Sequence, residues 1–266
     1  MIQYQNNILT VFQSELYMTT SALVETEAAM FLTDPNWLPS EVEEIRQYVE
    51  ARRNGRNLYL IFTHSDFDHI IGYGAFPDAK VIASEEFANL EDKQQVIEQV
   101  IKFDQGRYLT RSYDHDYPDV DITVAADGEA IELDGVSLTF YKAPGHTADG
   151  IYTVISQYGI LLAGDYLSDV EFPFIYDSWE AYMDTMKKTI TILEKDNILI
   201  LVPGHGNTAD TKNEIRDRVE FSIQYLQSLT QEGQDIEEVL KNKYRFYEGL
   251  KNVHEHNKKQ VAGKTE

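Results

Sequence analysis

The chain has 266 residues, 42% of them apolar, which suffices for a sizeable core within one layered domain. Its 23 Lys and Arg stand against 45 Asp and Glu, and the net charge of −22 repels a phosphate backbone, so no nucleic acid is expected as a partner. The absence of cysteine removes disulfides, thiolate metal sites and cysteine nucleophiles together, leaving imidazole and carboxylate to hold any metal.

The first 18 residues carry no basic stretch followed by an apolar run and a cleavage site, and no apolar run approaches the ~18 residues needed to span a bilayer. A cytoplasmic protein with no membrane partner is the expectation. Short apolar, β-branched runs then predict strands at 8–12, 21–24 and 29–33. The capping pattern Ser40-x-x-Glu43, with Val42, Ile45 and Val49 on one face, predicts the first helix. Strands follow at 58–62 and 80–83, then a helix over 87–101 and strands at 136–142, 151–155 and 159–163. Tyr182, Met186, Ile190 and Leu193 mark another helix, residues 197–202 a further strand, and Ile215, Val219, Ile223 and Leu226 a helix behind the box Thr211-x-x-Glu214. Because no repeat or Pro/Gly/Ser-rich linker breaks residues 1–230, they read as one domain. Residues 231–266 read as a helical extension of it whose polar end, "HEHNKKQVAGKTE", frays.

Chemistry gathers where those strands end. Strand 58–62 runs into "THSDFDH", strand 136–142 into "APGH", strand 159–163 into "AGD" and strand 197–202 into "PGHG". A strand end is a rigid platform, and Gly or Pro lets the backbone turn sharply enough to aim a short side chain into a shared cleft. Each motif alone is weak: "PGHG" is an ordinary turn, and Asp68 beside His69 would equally suit the first turn of a helix starting near Ile70. Their joint occurrence supports four ligand histidines, His64, His69, His146 and His205, whereas His115, His254 and His256 lie in polar surroundings. No G-x-S-x-G elbow and no G-x-x-x-x-G-K-[ST] loop supports a serine hydrolase or a P-loop enzyme.

From about residue 8 to about residue 210, including the "LTDP" turn after an early strand, this order of motifs resembles the metallo-β-lactamase superfamily, whose H-x-H-x-D-H signature precedes a distant His, an Asp and a final His. The resemblance implies an α/β fold, specifically an αββα sandwich, with a two-metal site at one edge. Carried over by position, His64, Asp66 and His146 hold one divalent ion, Asp68, His69 and His205 the other, and Asp165 bridges them. The implied activity is a metallo-hydrolase whose metal-activated hydroxide attacks an ester, lactone, thioester or phosphodiester of a small molecule, with Asp68 also accepting a proton. Tyr166, next to Asp165, is the candidate oxyanion-side donor.

Asp66 departs from the pattern, since most members have histidine there. A third carboxylate leaves a neutral rather than singly positive inner shell and moves preference from zinc toward iron or manganese. A carboxylate at this position is similar to the flavodiiron branch, which has Glu there; a diiron redox enzyme and a non-catalytic metal-binding descendant are the alternatives. Loops 104–120 and 166–177 carry the aromatics that would either contact substrate or pack on the scaffold or on a second subunit of a homodimer, and His115 lies in the first. Asp169, Glu171 and Asp177 in the second favour a neutral or cationic substrate over a polyanion.

Overall fold

The computed structural model describes residues 1–231 and 236–262. The chain lays down β1 (Ile2–Gln5), β2 (Leu9–Gln13), β3 (Thr20–Glu25) and β4 (Ala29–Thr33), then β5 (Asn57–Ile61), β6 (Lys80–Ser84) and β7 (Ile122–Val124), which pair in chain order as one seven-stranded sheet. Pairing is antiparallel from β1 to β4 and parallel from β4 to β7. β8 (Glu129–Leu133), β9 (Val136–Lys142), β10 (Ile151–Ile155), β11 (Ile160–Leu162) and β12 (Ile200–Val202) form a second sheet, antiparallel except where β12 joins β11.

Alternation along the strands explains why the two sheets stack. In β2 to β6, Leu9, Val11, Val24, Phe31, Tyr59, Ile61 and Ile82 point at Leu138, Phe140, Ile151, Leu162 and Val202 of the second sheet. Their neighbours Leu23, Met30, Leu32, Leu58, Leu60 and Val81 point outward, under α1 (Pro39–Arg53), α3 (Glu85–Ala88) and α4 (Lys93–Gly106). Tyr152, Val154 and Leu161 likewise face away from the first sheet, onto α5 (Trp179–Lys195) and α6 (Lys212–Ser228). A strand covered on both faces must be apolar throughout, which is why these strands read as continuous hydrophobic runs. The architecture is the αββα sandwich.

Several boundaries differ from expectation. The box at Ser40 is not used: the helix starts at Pro39, where a missing N–H costs nothing, and the Glu41 carboxylate reaches back to the Leu38 N–H at 2.9 Å. The helix expected over 87–101 is two, because the Asp92 side chain caps Gln95 N–H and begins α4 afresh. β1, β7 and β8 went unforeseen; β8 is an edge strand with only every second side chain half-buried. The polar end does not fray from His254: α7 (Glu237–Lys243) and α8 (Tyr247–Ala262) are both helical, and His254 and Asn257 are buried, while residues 232–235 and 263–266 lie outside the described part.

Candidate metal centre

Four strand ends converge at one edge of the sandwich. His64 follows β5 by three residues, His146 follows β9, Asp165 follows β11 and His205 follows β12, while Asp66 immediately precedes α2 (Phe67–Ile70) and Asp68 and His69 lie within it. His64, Asp66, His146 and Asp165 each bring one donor atom within 4.8 Å of the others, and Asp68, His69 and His205 do the same. Asp165 sits between the two groups. Its carboxylate oxygens lie 3.0 Å from His69 Nε2, 3.3 Å from His146 Nε2, 3.4 Å from His205 Nε2 and 3.7 Å from His64 Nε2. Asp66 Oδ2 is 3.3 Å from His146 Nε2 and 3.6 Å from His64 Nε2; Asp68 Oδ2 is 3.5 Å from the Nε2 atoms of both His69 and His205.

The far side of each imidazole fixes which nitrogen faces inward. His69 Nδ1 donates to Asp34 Oδ2 at 3.0 Å. Thr63 Oγ1 gives its own proton to the same Asp34 oxygen at 2.6 Å, so it can only accept from His64 Nδ1, 2.9 Å away. His146 Nδ1 donates to the Phe174 carbonyl at 3.0 Å, and His205 Nδ1 to the Tyr17 carbonyl at 3.0 Å. With Nδ1 protonated in all four, every Nε2 offers a lone pair to the centre, the tautomer a metal ligand needs. The Nε2 atoms of His64, His69 and His146 and Asp165 Oδ1 are buried without a well-directed hydrogen bond. Orphaned buried acceptors of this kind are costly unless a cation takes them, so the donor set fits divalent ions.

Charge tells the same story. Burial disfavours a proton on His146, but the Asp165 and Asp66 carboxylates, each 3.3 Å from its Nε2, outweigh it and raise this imidazole to about 10. His69 and His205 are raised as well, against the same burial, by Asp165 and Asp68 and, for His205, by Glu171. Without metal, the carboxylates therefore hold protons on the ring; a cation satisfies the same demand. Glu171 itself is pushed up to about 7 by burial, with Asp165 and Asp68 adding to the effect and His205 opposing it.

Two glycines make the geometry possible. A Cβ at Gly204 would run into Asp165 Oδ1, and one at Gly145, whose φ is +128°, into the backbone of Tyr182.

The centre opens into a cleft of about 470 Å³ lined by Asp66, Asp68, His146, Asp165 and His205 together with Tyr17, Trp37, Phe67, Gln99, Glu171, Phe174 and Tyr176. Tyr166 is not among them. Its buried hydroxyl donates to the Ala143 carbonyl at 2.8 Å and accepts from His146 N–H at 2.9 Å, so it positions His146 and has no proton left for a substrate oxyanion. Loop 104–120 takes the scaffold role: Arg111 pairs with Asp104 at 2.8 Å and 3.0 Å, Tyr113 and Tyr117 donate to backbone carbonyls, and His115 contacts Asp104 at 3.3 Å. Loop 166–177 supplies Glu171, Phe174 and Tyr176 to the cleft, whereas Asp169 is spent on Asn207 and Asp177 is exposed outside it.

Sequence reasoning missed two positioning residues. Asp34, in the "LTDP" turn at φ +46°, serves a histidine of each group, and the turn was the only signal. Asn257 on α8 accepts from Ile175 N–H at 3.1 Å and donates to the Pro173 carbonyl at 2.6 Å, clamping the segment whose Phe174 carbonyl orients His146. A polar residue on a C-terminal helix carries no local sign of that duty.

The metallo-β-lactamase superfamily profile matches residues 16–205, which hold every residue of the two donor groups. The chain belongs to the metallo-β-lactamase superfamily. Similar relatives include a metallo-β-lactamase type 2 of Bacillus sp. (strain 170), 24% identical over 76% of this chain and 72% of that protein. A β-lactamase-like protein 2 homolog of Caenorhabditis elegans is 25% identical over 84% of this chain and 65% of its own length. Among solved structures, a metallo-β-lactamase from Pontibacter korlensis superposes with a TM-score of 0.62 at 18% identity, covering 87% of this chain and 99% of that one. The sec-alkylsulfatase Pisa1 of Pseudomonas sp. reaches 0.70 at 14% identity over 90% of this chain and 43% of the sulfatase. Superfamily membership makes this a metal-dependent hydrolase fold and gives the two donor groups their context. No helix among the described residues is long and apolar enough to cross a membrane.

Proposed function

We propose that the protein hydrolyses an ester, lactone, thioester or phosphodiester of a small molecule with two divalent ions, one held by His64, Asp66 and His146 and the other by Asp68, His69 and His205, with Asp165 shared. The observation that carries this reading is the set of four imidazoles whose Nδ1 protons are committed outward and whose Nε2 atoms surround one buried carboxylate. Two such ions would supply a hydroxide at neutral pH and polarise the oxygen of the bound carbonyl or phosphoryl group.

The chain's own residues do the rest. Asp68 lines the cleft and stands within 3.5 Å of two imidazoles, where it orients them and can accept the proton that leaves the nucleophile. Trp37, Phe67 and Phe174 give the cleft apolar wall. Glu171 places carboxylate rather than a cation beside the site, which favours a neutral or cationic substrate, and the net charge of −22 disfavours polyanions. Asp66 supports iron or manganese as well as zinc, because carboxylate is a harder ligand than imidazole.

The test is a panel of uncharged esters, lactones and thioesters and of singly charged phosphodiesters, offered to protein stripped of metal and then reloaded with zinc, manganese or iron. Turnover that disappears on stripping, returns on loading and is lost in His146→Ala supports the reading. Dioxygen reduction by the iron form with electrons from an added chemical reductant, without hydrolysis of any panel member, would replace it with the diiron alternative, and tight metal without either reaction with the non-catalytic one.

A further inference from the structure

A second cavity lies beside the metal cleft. Tyr17 and Glu171 line both, and the other walls of the second, of about 270 Å³, are Glu15, Met18, Val170, Phe246, Gly249 and Leu250. Five of these eight residues present apolar side chains, and three of the eight come from the segment leading into and opening α8. Among the described residues only eight large hydrophobic side chains are prominently exposed, and two of them, Tyr17 at 58% and Phe246 at 50%, line this cavity, while a third, Tyr176 at 50%, lines the adjoining metal cleft with Tyr17. Exposed aromatics gathered around a concave surface mark a binding site, whereas scattered ones need no explanation.

Two features tie this annex to the catalytic edge. Tyr17 and Met18 are consecutive non-glycine residues held at φ +53° and +52°, a conformation that persists only where the surroundings enforce it. The turn is closed by Thr19 N–H on the Leu16 carbonyl at 3.1 Å and is anchored beside the metal centre, where the Tyr17 carbonyl accepts from His205 Nδ1 at 3.0 Å and the Met18 carbonyl from Gly206 N–H at 2.9 Å. The turn that orients a histidine thus also carries the annex wall.

We infer that the annex is the subsite for an uncharged apolar arm, an alkyl or acyl chain, of the substrate whose polar head sits at the metals. The inference rests on the proposed metal centre. Glu15 and Glu171 at its rim disfavour an anionic arm, and the walls offer few hydrogen-bonding groups to a polar one. Gly249 gives the means to test it. A Cβ there meets nothing within 4 Å, so a substitution starts in open space beside the annex, and replacing a helical glycine raises local helix propensity.

The experiment uses full-length, metal-loaded protein and a series of hydroxamates from acetohydroxamate to octanohydroxamate, whose common head is neutral in solution and releases one proton to bind metal while the uncharged tail lengthens, with affinity read by calorimetry at fixed pH and buffer. Wild-type affinity is expected to rise about two- to fourfold per added methylene. Gly249→Phe should abolish the rise while leaving acetohydroxamate affinity and metal content unchanged, and Phe246→Ser should lower the slope. A flat wild-type series, or a slope that Gly249→Phe leaves intact, would overturn the subsite while leaving the metal centre standing. Failure of acetohydroxamate to bind at all would remove the metal centre and the subsite with it. A concentration-dependent dimer that dissociates in Phe246→Ser and shows no chain-length effect would assign the annex to a second copy instead, also overturning the inference.

Discussion

Substituting Asp34 by Asn separates metal binding from folding. The Asp34 carboxylate accepts Thr63 N–H at 2.9 Å, the Thr63 hydroxyl at 2.6 Å and His69 Nδ1–H at 3.0 Å. An amide of the same shape still offers an oxygen to Thr63 N–H, but places an NH2 against two donors. His69 escapes that conflict only by moving its proton to Nε2, which removes the lone pair facing Asp68 and Asp165. Loss of an outer partner to a metal-binding histidine typically costs about 10–100-fold in affinity. The second ion should weaken by that factor, and the first less, since His64 is reached only through Thr63. Asp34→Ala should in addition destabilise the metal-free protein by about 1–3 kcal/mol for each of the two Thr63 donors it leaves buried without an acceptor. Competition against a chromophoric chelator gives the two affinities and a thermal melt with chelator gives the stability. Two ions bound by Asp34→Asn as tightly as by the wild type would refute the tautomer argument.

Asn257→Leu should weaken the ion held by His64, Asp66 and His146 about tenfold and spare the other, because the change reaches the site only through the Phe174 carbonyl; site-resolved cobalt spectra distinguish the two. Gly204→Ala should lose metal at both sites, since its Cβ displaces Asp165; full metal content by elemental analysis would contradict the packing. Asp66→His should shift relative affinity toward zinc and move the acidic limb of the pH–rate profile downward, and an unchanged profile with unchanged metal preference would show that Asp66 is no ligand. The pH dependence has a defined sign. In metal-free protein His146 is raised to about 10, so its contribution to stability is present below the ordinary imidazole range and is lost as pH rises toward 10. The difference in melting temperature between metal-free wild type and His146→Gln should therefore shrink from pH 7 to pH 10, whereas metal affinity should strengthen over the same interval as protons leave the ring.

The convergence of His64, His146, Asp165 and His205 was legible because each follows an apolar strand within four residues, through a short turn that carries Thr, Gly or Pro, and Asp66, Asp68 and His69 come directly after His64. The sandwich was legible for a related reason: strands buried on both faces leave continuous apolar runs that no surface element shares. What stayed hidden depends on contacts between distant segments. Nothing local distinguishes Tyr166, whose hydroxyl supports His146, from Tyr176, whose ring stands 5.2 Å from the same histidine inside the cleft; only the turn after Asp165 decides which of them faces out. Asn257 and His254 sit in a polar stretch that suits a fraying end, yet α8 is held through Tyr225, which meets His254 at 3.0 Å and Asn257 at 2.9 Å. β8 escaped because its sequence, Glu129-Ala-Ile-Glu-Leu133, is short and broken by two acids, with only Glu129, Ile131 and Leu133 half-buried.

The central claim is a dinuclear centre, and the most direct measurement is the metal content of native protein purified without chelating tags, combined with anomalous scattering from its crystals. The account predicts two ions per chain, one ligated by His64, Asp66 and His146, the other by Asp68, His69 and His205, with Asp165 reaching both. A single ion, none, or two ions bound away from these residues would contradict it.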